Sequence, residues 1–220
     1  MNVKNDKALP QGTIVDTYRI KKILNIGELG ITYLVREVDL GKLYVIKELI
    51  PGSIATRQTG KTAVITEGEY AQDGFADICK HFTDNTKILA NTNHPSMVNI
   101  HHLIKTNGTY YMVMDYIEGD TLDEYLAMRN GTLDSRAEFE QIFYPLLSLL
   151  EELHTLGILH CNITPRSIMV RADGTPILLG NIAPSQTLGR SIAGIGMLSP
   201  GYSPCELYSN RKKHAPSTDI

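Results

Sequence analysis

With 220 residues, the chain is long enough to bury one or two hydrophobic cores. Its hydrophobic fraction of 42% and charged fraction of 20% are typical of a soluble globular protein, and its formal net charge of −3 gives no electrostatic reason to expect nucleic acid or an anionic membrane as a partner. Cys79, Cys161 and Cys205 lack the paired spacing of a zinc site or a disulfide frame, so we expect reduced thiols in a cytoplasmic protein.

The first part of the chain predicts a mostly antiparallel sheet. Short runs of β-branched and apolar residues separated by glycines predict three strands, Tyr18–Leu24, Thr32–Val38 and Leu43–Leu49. The following stretch, residues 51–67, is rich in Gly, Thr and Ser and predicts a loop.

One helix and a second hairpin are expected next. Apolar residues at roughly helical spacing predict a helix over Phe75–Asn91, which His94-Pro95 ends. Two further strands, Met97–Lys105 and Tyr110–Tyr116, are expected to pair around a turn at residues 106–108.

After Gly119 the pattern becomes helical. Thr121, with Glu124 three residues later, predicts the start of a short helix, and Ser135–Leu156 predicts a long amphipathic helix that Gly157 ends. Although the window from 142 to 159 is the most apolar of the chain, it contains Pro145 and charged residues, so we expect a buried helix and no membrane segment. A small hairpin, Ile168–Arg171 with Pro176–Leu179, is expected before a weakly structured stretch from Gly180 onward.

Several short motifs, in this order, resemble those of the protein kinase family, especially bacterial Ser/Thr kinase-like domains. They are Asn25–Tyr33, Val45–Glu48, His94-Pro95, Tyr111–Gly119, His160–Pro165 and Pro200–Glu206. The resemblance implies one α+β domain of two lobes: an extension over 1–17, a β-rich N-lobe over 18–118, and a helical C-lobe over 119–220. Thr218-Asp219-Ile220 resembles the start of the central helix of the C-lobe, so we expect a partial lobe, truncated there or completed by something else.

The resemblance places a nucleotide cleft beside the glycine-rich loop, in which Asn25 replaces the first glycine and Gly27 and Gly30 remain. Asn tolerates positive φ, so we expect the hairpin to form. Lys47 matches the lysine that holds the phosphates, whereas Val45 adds bulk where the family has alanine above the adenine. The full set of residues expected at the cleft is Asn25, Gly27, Gly30, Thr32, Val45, Lys47, Met114, Asp115, Ile117 and Met169.

The helix residue that pairs with this lysine is a glutamate in the family, and Asn85 stands at its place. Asn85 can accept a hydrogen bond from Lys47 but cannot neutralise it. A different anion is then expected for Lys47: Asp84 after a register shift, or a ligand phosphate.

The catalytic loop departs most from the family. His160 and Pro165 are retained, but Cys161 replaces the arginine, Asn162 the base aspartate, Thr164 the lysine and Ser167 the metal-binding asparagine. An amide has no usable basicity near neutral pH, so Asn162 cannot act as a general base. His160 is interpreted as a packed core residue.

The metal site is also degenerate. Gly180 stands where the family has its metal-binding aspartate, and Asn181 where it has phenylalanine. Because Mg²⁺ prefers carboxylate and phosphate oxygens, we expect no metal site. Remaining candidate ligands are distant acids: Asp115, Asp120 and Asp173. Glu206 matches a family glutamate whose arginine partner is absent from this chain.

Three functions remain open on these residues. A catalytically inactive domain (a pseudokinase) that binds another protein agrees best with lost chemistry and retained core patterning. A weak or unconventional phosphotransferase and a nucleotide sensor that binds ATP weakly without Mg²⁺ are the alternatives, and no cofactor is required by the first. An apolar open face on the helical lobe would support the binding module.

Overall fold

The computed structural model describes residues 7–180, 198–208 and 214–220. Contacts divide the chain into two units. The first runs to Ala90 and resumes over Ile100–Tyr116, and the second contains Asn91–Asn99 and the chain from Ile117 onward. The stretch Asn91–Asn99, predicted as part of the N-lobe, is thus grouped with the second unit.

The first unit contains a six-stranded antiparallel sheet, and its strands, whose ranges follow, lie side by side in the order β1-β2-β3-β4-β8-β7. Its strands are β1 (Ile14–Val15), β2 (Tyr18–Ile26), β3 (Gly30–Glu37), β4 (Leu43–Leu49), β7 (Ile100–Thr106) and β8 (Thr109–Asp115). The predicted strands are therefore confirmed, except that the strand predicted from Met97 begins at Ile100. Only a glycine fits at position 30, since a Cβ there would lie 1.9 Å from the carbonyl oxygen of Glu48 on β4.

One apolar cluster of the first unit joins the sheet to segments that the sequence left without structure. Leu9 and Val15, from the predicted N-terminal extension, are buried in it with Tyr33, Ile46 and Tyr111. Burying such side chains contributes about 1.5–3 kcal/mol each. Residues 7–15 are thus an integral part of this unit.

The prediction of a loop over residues 51–67 is wrong in part, because a short hairpin lies within this stretch. Its strands are β5 (Ala55–Arg57) and β6 (Val64–Thr66). Ala55 and Val64 are buried in the same cluster, and the Val64 N–H donates to the carbonyl of Asn107 at 2.8 Å. Three-residue strands are too short for alternation to be read from sequence.

Helix α1 (Glu69–Ala90) begins six residues before the predicted start. Its first turns are polar, so apolar spacing could not indicate them. The helix buries Ile78, Phe82, Asn85 and Leu89, which recur at helical spacing and define its inward face.

The second unit contains the predicted helices and hairpin. Its elements are α2 (Leu122–Ala127), α3 (Arg136–Thr155) and a three-stranded sheet of β9 (Asp120–Thr121), β10 (Ile168–Val170) and β11 (Pro176–Leu178). The predicted ends at Thr121 and Gly157 are confirmed, and Ser135, predicted as the first residue of the long helix, is its N-cap. Glu124 accepts from the Thr121 N–H at 3.0 Å, Ser135 Oγ accepts from the Glu138 N–H at 3.2 Å, and Gly157 takes a φ of 76°.

Two short 3₁₀ helices, Cys205–Tyr208 and Pro216–Asp219, lie near the end of the chain. The expected start of a central helix at 218–220 is therefore a 3₁₀ turn here, while Asn181 and most of the stretch predicted to be weakly structured lie outside the described residues. Of the helices described, none has the length and apolarity to cross a membrane.

Candidate functional site

The glycine-rich turn joins β2 to β3, with the Gly27 N–H donating to the Gly30 carbonyl at 2.9 Å. Asn25 lies in β2 opposite Thr32, without the positive φ considered for it. The tip is attached to the chain after β4: Leu29 O accepts from the Ile50 N–H at 3.0 Å, and Glu28 O from the Gly52 N–H at 2.9 Å. These bonds continue the β3–β4 ladder to the end of the hairpin.

Lys47 lies on β4, paired with Thr32 on β3 and Met112 on β8. Lys47 is 9% exposed, and burial lowers the pKa of its ammonium group to about 8. Val45, two residues earlier, pairs with Met114, which is buried. The structure thus places Lys47, Thr32, Val45 and Met114 on adjacent central strands.

On α1, the register points Asn85 inward and Asp84 outward. Asn85 is buried, whereas Asp84 is exposed and lies 3.7 Å from Lys87. Asp84 is therefore not the buried anion considered for Lys47.

Sequence reasoning missed a buried carboxylate next to Lys47. Glu48 is fully buried and accepts hydrogen bonds from the hydroxyls of Tyr111 at 2.6 Å and Tyr33 at 2.8 Å, and from the Arg57 guanidinium. Burial, and then the charge of Glu48, raise the pKa of both tyrosines, which keeps them protonated donors. The sequence does contain a sign of this network. Strand alternation places Glu48 with Ile46 and Ile50 on the core face, where a buried carboxylate requires a partner.

In the second unit, the loop at His160 is held by a carboxylate. Asp219 accepts from the backbone N–H of His160 at 2.8 Å and of Cys161 at 2.6 Å, and lies 2.9 Å from His154 Nε2. Cys161 has a φ of 58°, and burial, with the charge of Asp219, raises the pKa of its thiol to about 12. Cys161 is therefore a protonated packing residue, not a reactive thiol.

His160 and Asn162 are both buried. The Nδ1 of His160 accepts from the Asn162 N–H at 3.3 Å, and its Nε2 lies 3.1 Å from the Leu179 carbonyl, so the ring bridges two backbone segments. The amide oxygen of Asn162 accepts from the Ser199 hydroxyl at 2.7 Å.

Ser167 uses its hydroxyl within its own turn. Its Oγ accepts from the Thr164 N–H at 2.9 Å and donates to the Thr164 carbonyl at 2.8 Å, closing the 3₁₀ turn Pro165–Ser167. Ser167 is buried, and Gly180, near the end of the described stretch, has no side chain to offer.

The residues present do not fit Mg²⁺. At the three places where the family has ligands or the base, the chain has an amide, a hydroxyl used locally, and a glycine, but no carboxylate. Within ranges 7–180, 198–208 and 214–220, no three His, Cys, Asp or Glu side chains group in a way that could hold a metal ion.

The other candidate acids have local roles. Asp115 lies 2.6 Å from His101 Nε2, and Asp173 accepts from the Thr175 N–H at 2.9 Å, which lowers the pKa of Asp173. Asp120 is exposed on β9.

Three more predicted positions are described. Ile117 is buried in the second unit, and Met169 lies on β10 between Thr121 and Ile177. Glu206, whose arginine partner in the family is absent from this chain, accepts through Oε1 from the Thr218 hydroxyl at 3.1 Å. A hydroxyl replaces the expected arginine.

Comparison with known proteins decides the family. The profile described as "Protein kinase domain" matches residues 18–220. The chain belongs to the protein kinase family. Among curated relatives of this kinase chain, the serine/threonine-protein kinase cds1 of Schizosaccharomyces pombe is 28% identical over 156 residues, which are 71% of this chain and 30% of that protein.

Solved structures show the same fold. The apo form of PpkA-294 is 26% identical with a TM-score of 0.77, over 97% of this chain and 74% of that one. A double-mutant form of the PknI kinase domain of Mycobacterium tuberculosis is 20% identical with a TM-score of 0.66, over 96% of this chain and 74% of that one. The predicted α+β, kinase-like two-lobe fold is therefore confirmed. The chain spans less than a third of the length of the first curated relatives that it matches.

Proposed function

We propose that this kinase-family chain is catalytically inactive and acts as a regulatory module that binds another protein in the cytoplasm. The observation that carries the proposal is Asn162, at the position of the catalytic base, with its amide oxygen bonded to the Ser199 hydroxyl. An amide oxygen is not protonated near neutral pH and so cannot remove a proton from a substrate hydroxyl.

The missing metal ligands support the same conclusion. Phosphoryl transfer depends almost wholly on positioning and on neutralisation of phosphate charge by metal ions. Removal of one preorganised electrostatic group typically costs about 10²–10³ in rate. Here Asn162, Ser167 and Gly180 depart from the family together, although such losses do not simply multiply.

An exposed apolar stripe on α3 supports a protein partner. Phe139, Tyr144 and Leu147 are about half exposed, and the Phe139 and Phe143 rings pack with centroids 4.6 Å apart. Exposed apolar groups clustered on one element are typical of interaction sites. With the net charge of −3, this surface favours protein over nucleic acid.

A second candidate function is weak, metal-free ATP binding. The buried amine of Lys47, on the strand beside Thr32, favours it. Val45 opposes it by narrowing the expected adenine site.

Thermal-shift titration with ATP, with and without Mg²⁺ or Mn²⁺, tests the proposal. We expect no metal-dependent rise in Tm, whereas a ligand at about 100 times its Kd would stabilise the fold by about 2.7 kcal/mol. A rise without metal that Lys47→Ala removes would support the second candidate.

Phosphotransfer to casein and to the chain itself is the matched assay. The wild type should be inactive, and the same protein carrying Asn162→Asp, Ser167→Asn and Gly180→Asp shows whether the rest of the site is competent. Metal-dependent transfer by the wild type that Lys47→Ala abolishes would overturn the proposal.

A further inference from the structure

The buried carboxylate of Glu48 joins several separate segments of the first unit. Tyr33 on β3, Tyr111 on β8 and Arg57 on β5 all donate to it. Arg57 also donates through Nε to the Thr62 carbonyl at 2.9 Å. Both side chains of the Glu48–Arg57 pair are at most 1% exposed.

The N-terminal segment Lys7–Leu9 is bonded to this same network. Its Leu9 N–H donates to the Tyr33 hydroxyl at 3.0 Å, and that hydroxyl in turn donates to Glu48. Arg57 donates to the Lys7 carbonyl, and the Leu9 side chain is 1% exposed within the apolar cluster. Removal of this segment would take the Leu9 N–H donor from the Tyr33 oxygen and the Lys7 carbonyl acceptor from Arg57, while both side chains still donate to Glu48.

The network is linked to Lys47 by the single peptide bond between Lys47 and Glu48. Successive strand residues point to opposite faces, so Glu48 and Lys47 share β4 but face different sides of the sheet. Without the segment, Tyr33 and Arg57 must rearrange to replace the lost partners, and the Glu48 carboxylate to which both donate must move with them, because an uncompensated buried charge is costly. Because Glu48 and Lys47 are neighbours on β4, we infer that movement of Glu48 shifts the backbone that carries Lys47.

We propose that the segment Lys7–Leu9 is a latch. When it is docked on the Glu48–Arg57 pair, it holds β4 in place and thereby keeps water away from the Lys47 amine. Its release allows water to reach that amine. Lys47 is the group positioned, and Glu48 is a positioning residue that acts through the strand. The inference does not depend on the pseudokinase proposal, because it concerns the first unit alone.

Acetylation of individual lysines between pH 7 and 11, followed by mass spectrometry, tests the latch. The apparent pKa of Lys47 should be near 8 in the wild type, where burial disfavours the charged form. In Leu9→Ala, water entry should raise it by about one unit or more toward the ordinary value. Tyr33→Phe retains the ring and removes the hydroxyl link, so it should raise the pKa in the same direction even if Leu9→Ala fails to fold.

The matched control is Ile20→Ala, a comparable truncation in the same apolar cluster, at a residue of β2 with no side-chain hydrogen bond to the pair. It should lower Tm while leaving the pKa of Lys47 unchanged. If Tyr33→Phe leaves that pKa at the wild-type value, or if Ile20→Ala raises it equally, the latch is overturned and the N-terminal segment only adds stability.

Discussion

At the residue scale, Lys47 and Glu48 show how alternation separates two buried charges. Lys47 is buried on one face, with its pKa lowered by desolvation, while Glu48 on the other face is satisfied by an arginine and two tyrosines. Buried ion pairs contribute little net stability compared with apolar residues, yet breaking one is expensive. The pair therefore contributes more to how the segments are arranged than to net stability.

This view predicts a non-additive mutant cycle. Arg57→Met leaves the Glu48 carboxylate buried without its cation, so the free energy of unfolding should fall by about 3–5 kcal/mol. Adding Glu48→Leu removes the uncompensated charge and should recover part of that loss, although it also leaves the buried Tyr33 and Tyr111 hydroxyls without their acceptor. Urea denaturation of the two single variants and the double variant measures the coupling.

The control is Arg166→Met, which breaks the exposed Arg166–Asp123 pair and should cost less than about 1 kcal/mol. A double variant as unstable as Arg57→Met would contradict the prediction, because the loss would then come from packing alone.

At the catalytic loop, the sequence could identify residues but not their partners. Asn162, Ser167 and Gly180 were readable as substitutions because the resemblance assigns a role to each position. The bond from Ser199 to Asn162 joins residues 37 apart, and no periodicity encodes such a contact. The same holds for Arg57, which lay in a predicted loop.

At the element scale, the start of α3 carries a pH-dependent contact. Glu138 accepts from the Tyr125 hydroxyl and from the Asp134 N–H, at 2.6 Å for the latter, and these bonds lower the pKa of Glu138 below its ordinary value. A depressed folded-state pKa stabilises the fold above the unfolded pKa of about 4.3, and this contribution is lost as the pH falls through the folded value.

We therefore expect Glu138→Gln to lower Tm at pH 7 and to approach the wild type when both are measured near or below pH 3. Ser135→Ala is the control, because it removes the N-cap oxygen of the same helix without removing a titratable group. Its cost of about 0.5–2 kcal/mol should persist at both pH values. An equal Tm deficit for Glu138→Gln at pH 7 and pH 3 would show that the carboxylate charge contributes nothing.

The elements themselves were largely predictable, for identifiable reasons. Helix α3 has a cap at each end and an apolar face, and β2, β3 and β4 are runs of β-branched and apolar residues separated by glycine-containing turns. β5 and β6 were missed because three residues give no usable alternation. The docked N-terminal segment was missed because Ala8 and Leu9 are too short an apolar run to predict an element, and only the cluster that they enter explains the burial of Leu9.

At the scale of the whole molecule, contacts distant in sequence hold the loop that the family uses for catalysis. Asp219 is buried and bonds to the backbone at His160 and Cys161, 59 and 58 residues earlier, and to His154 on α3. A carboxylate that accepts several N–H donors is matched by no neutral side chain of the same shape. The conformation of this loop is thus held by contacts outside Asn162 and Ser167, which agrees with the structural role that we propose for it.

Asp219→Asn should destabilise the second unit, because an amide offers one oxygen where the carboxylate offers two and directs N–H groups at other donors. Leaving buried backbone N–H groups unpaired costs about 1–3 kcal/mol each, so we expect a loss of about 2–5 kcal/mol in urea denaturation. Hydrogen exchange at the His160 and Cys161 amides should accelerate in the same variant. Asp134→Asn, at an exposed acid of the same unit, is the control and should change neither measurement appreciably. If Asp219→Asn behaves like this control, the loop is held by the His160 ring and its apolar surroundings instead of by the carboxylate.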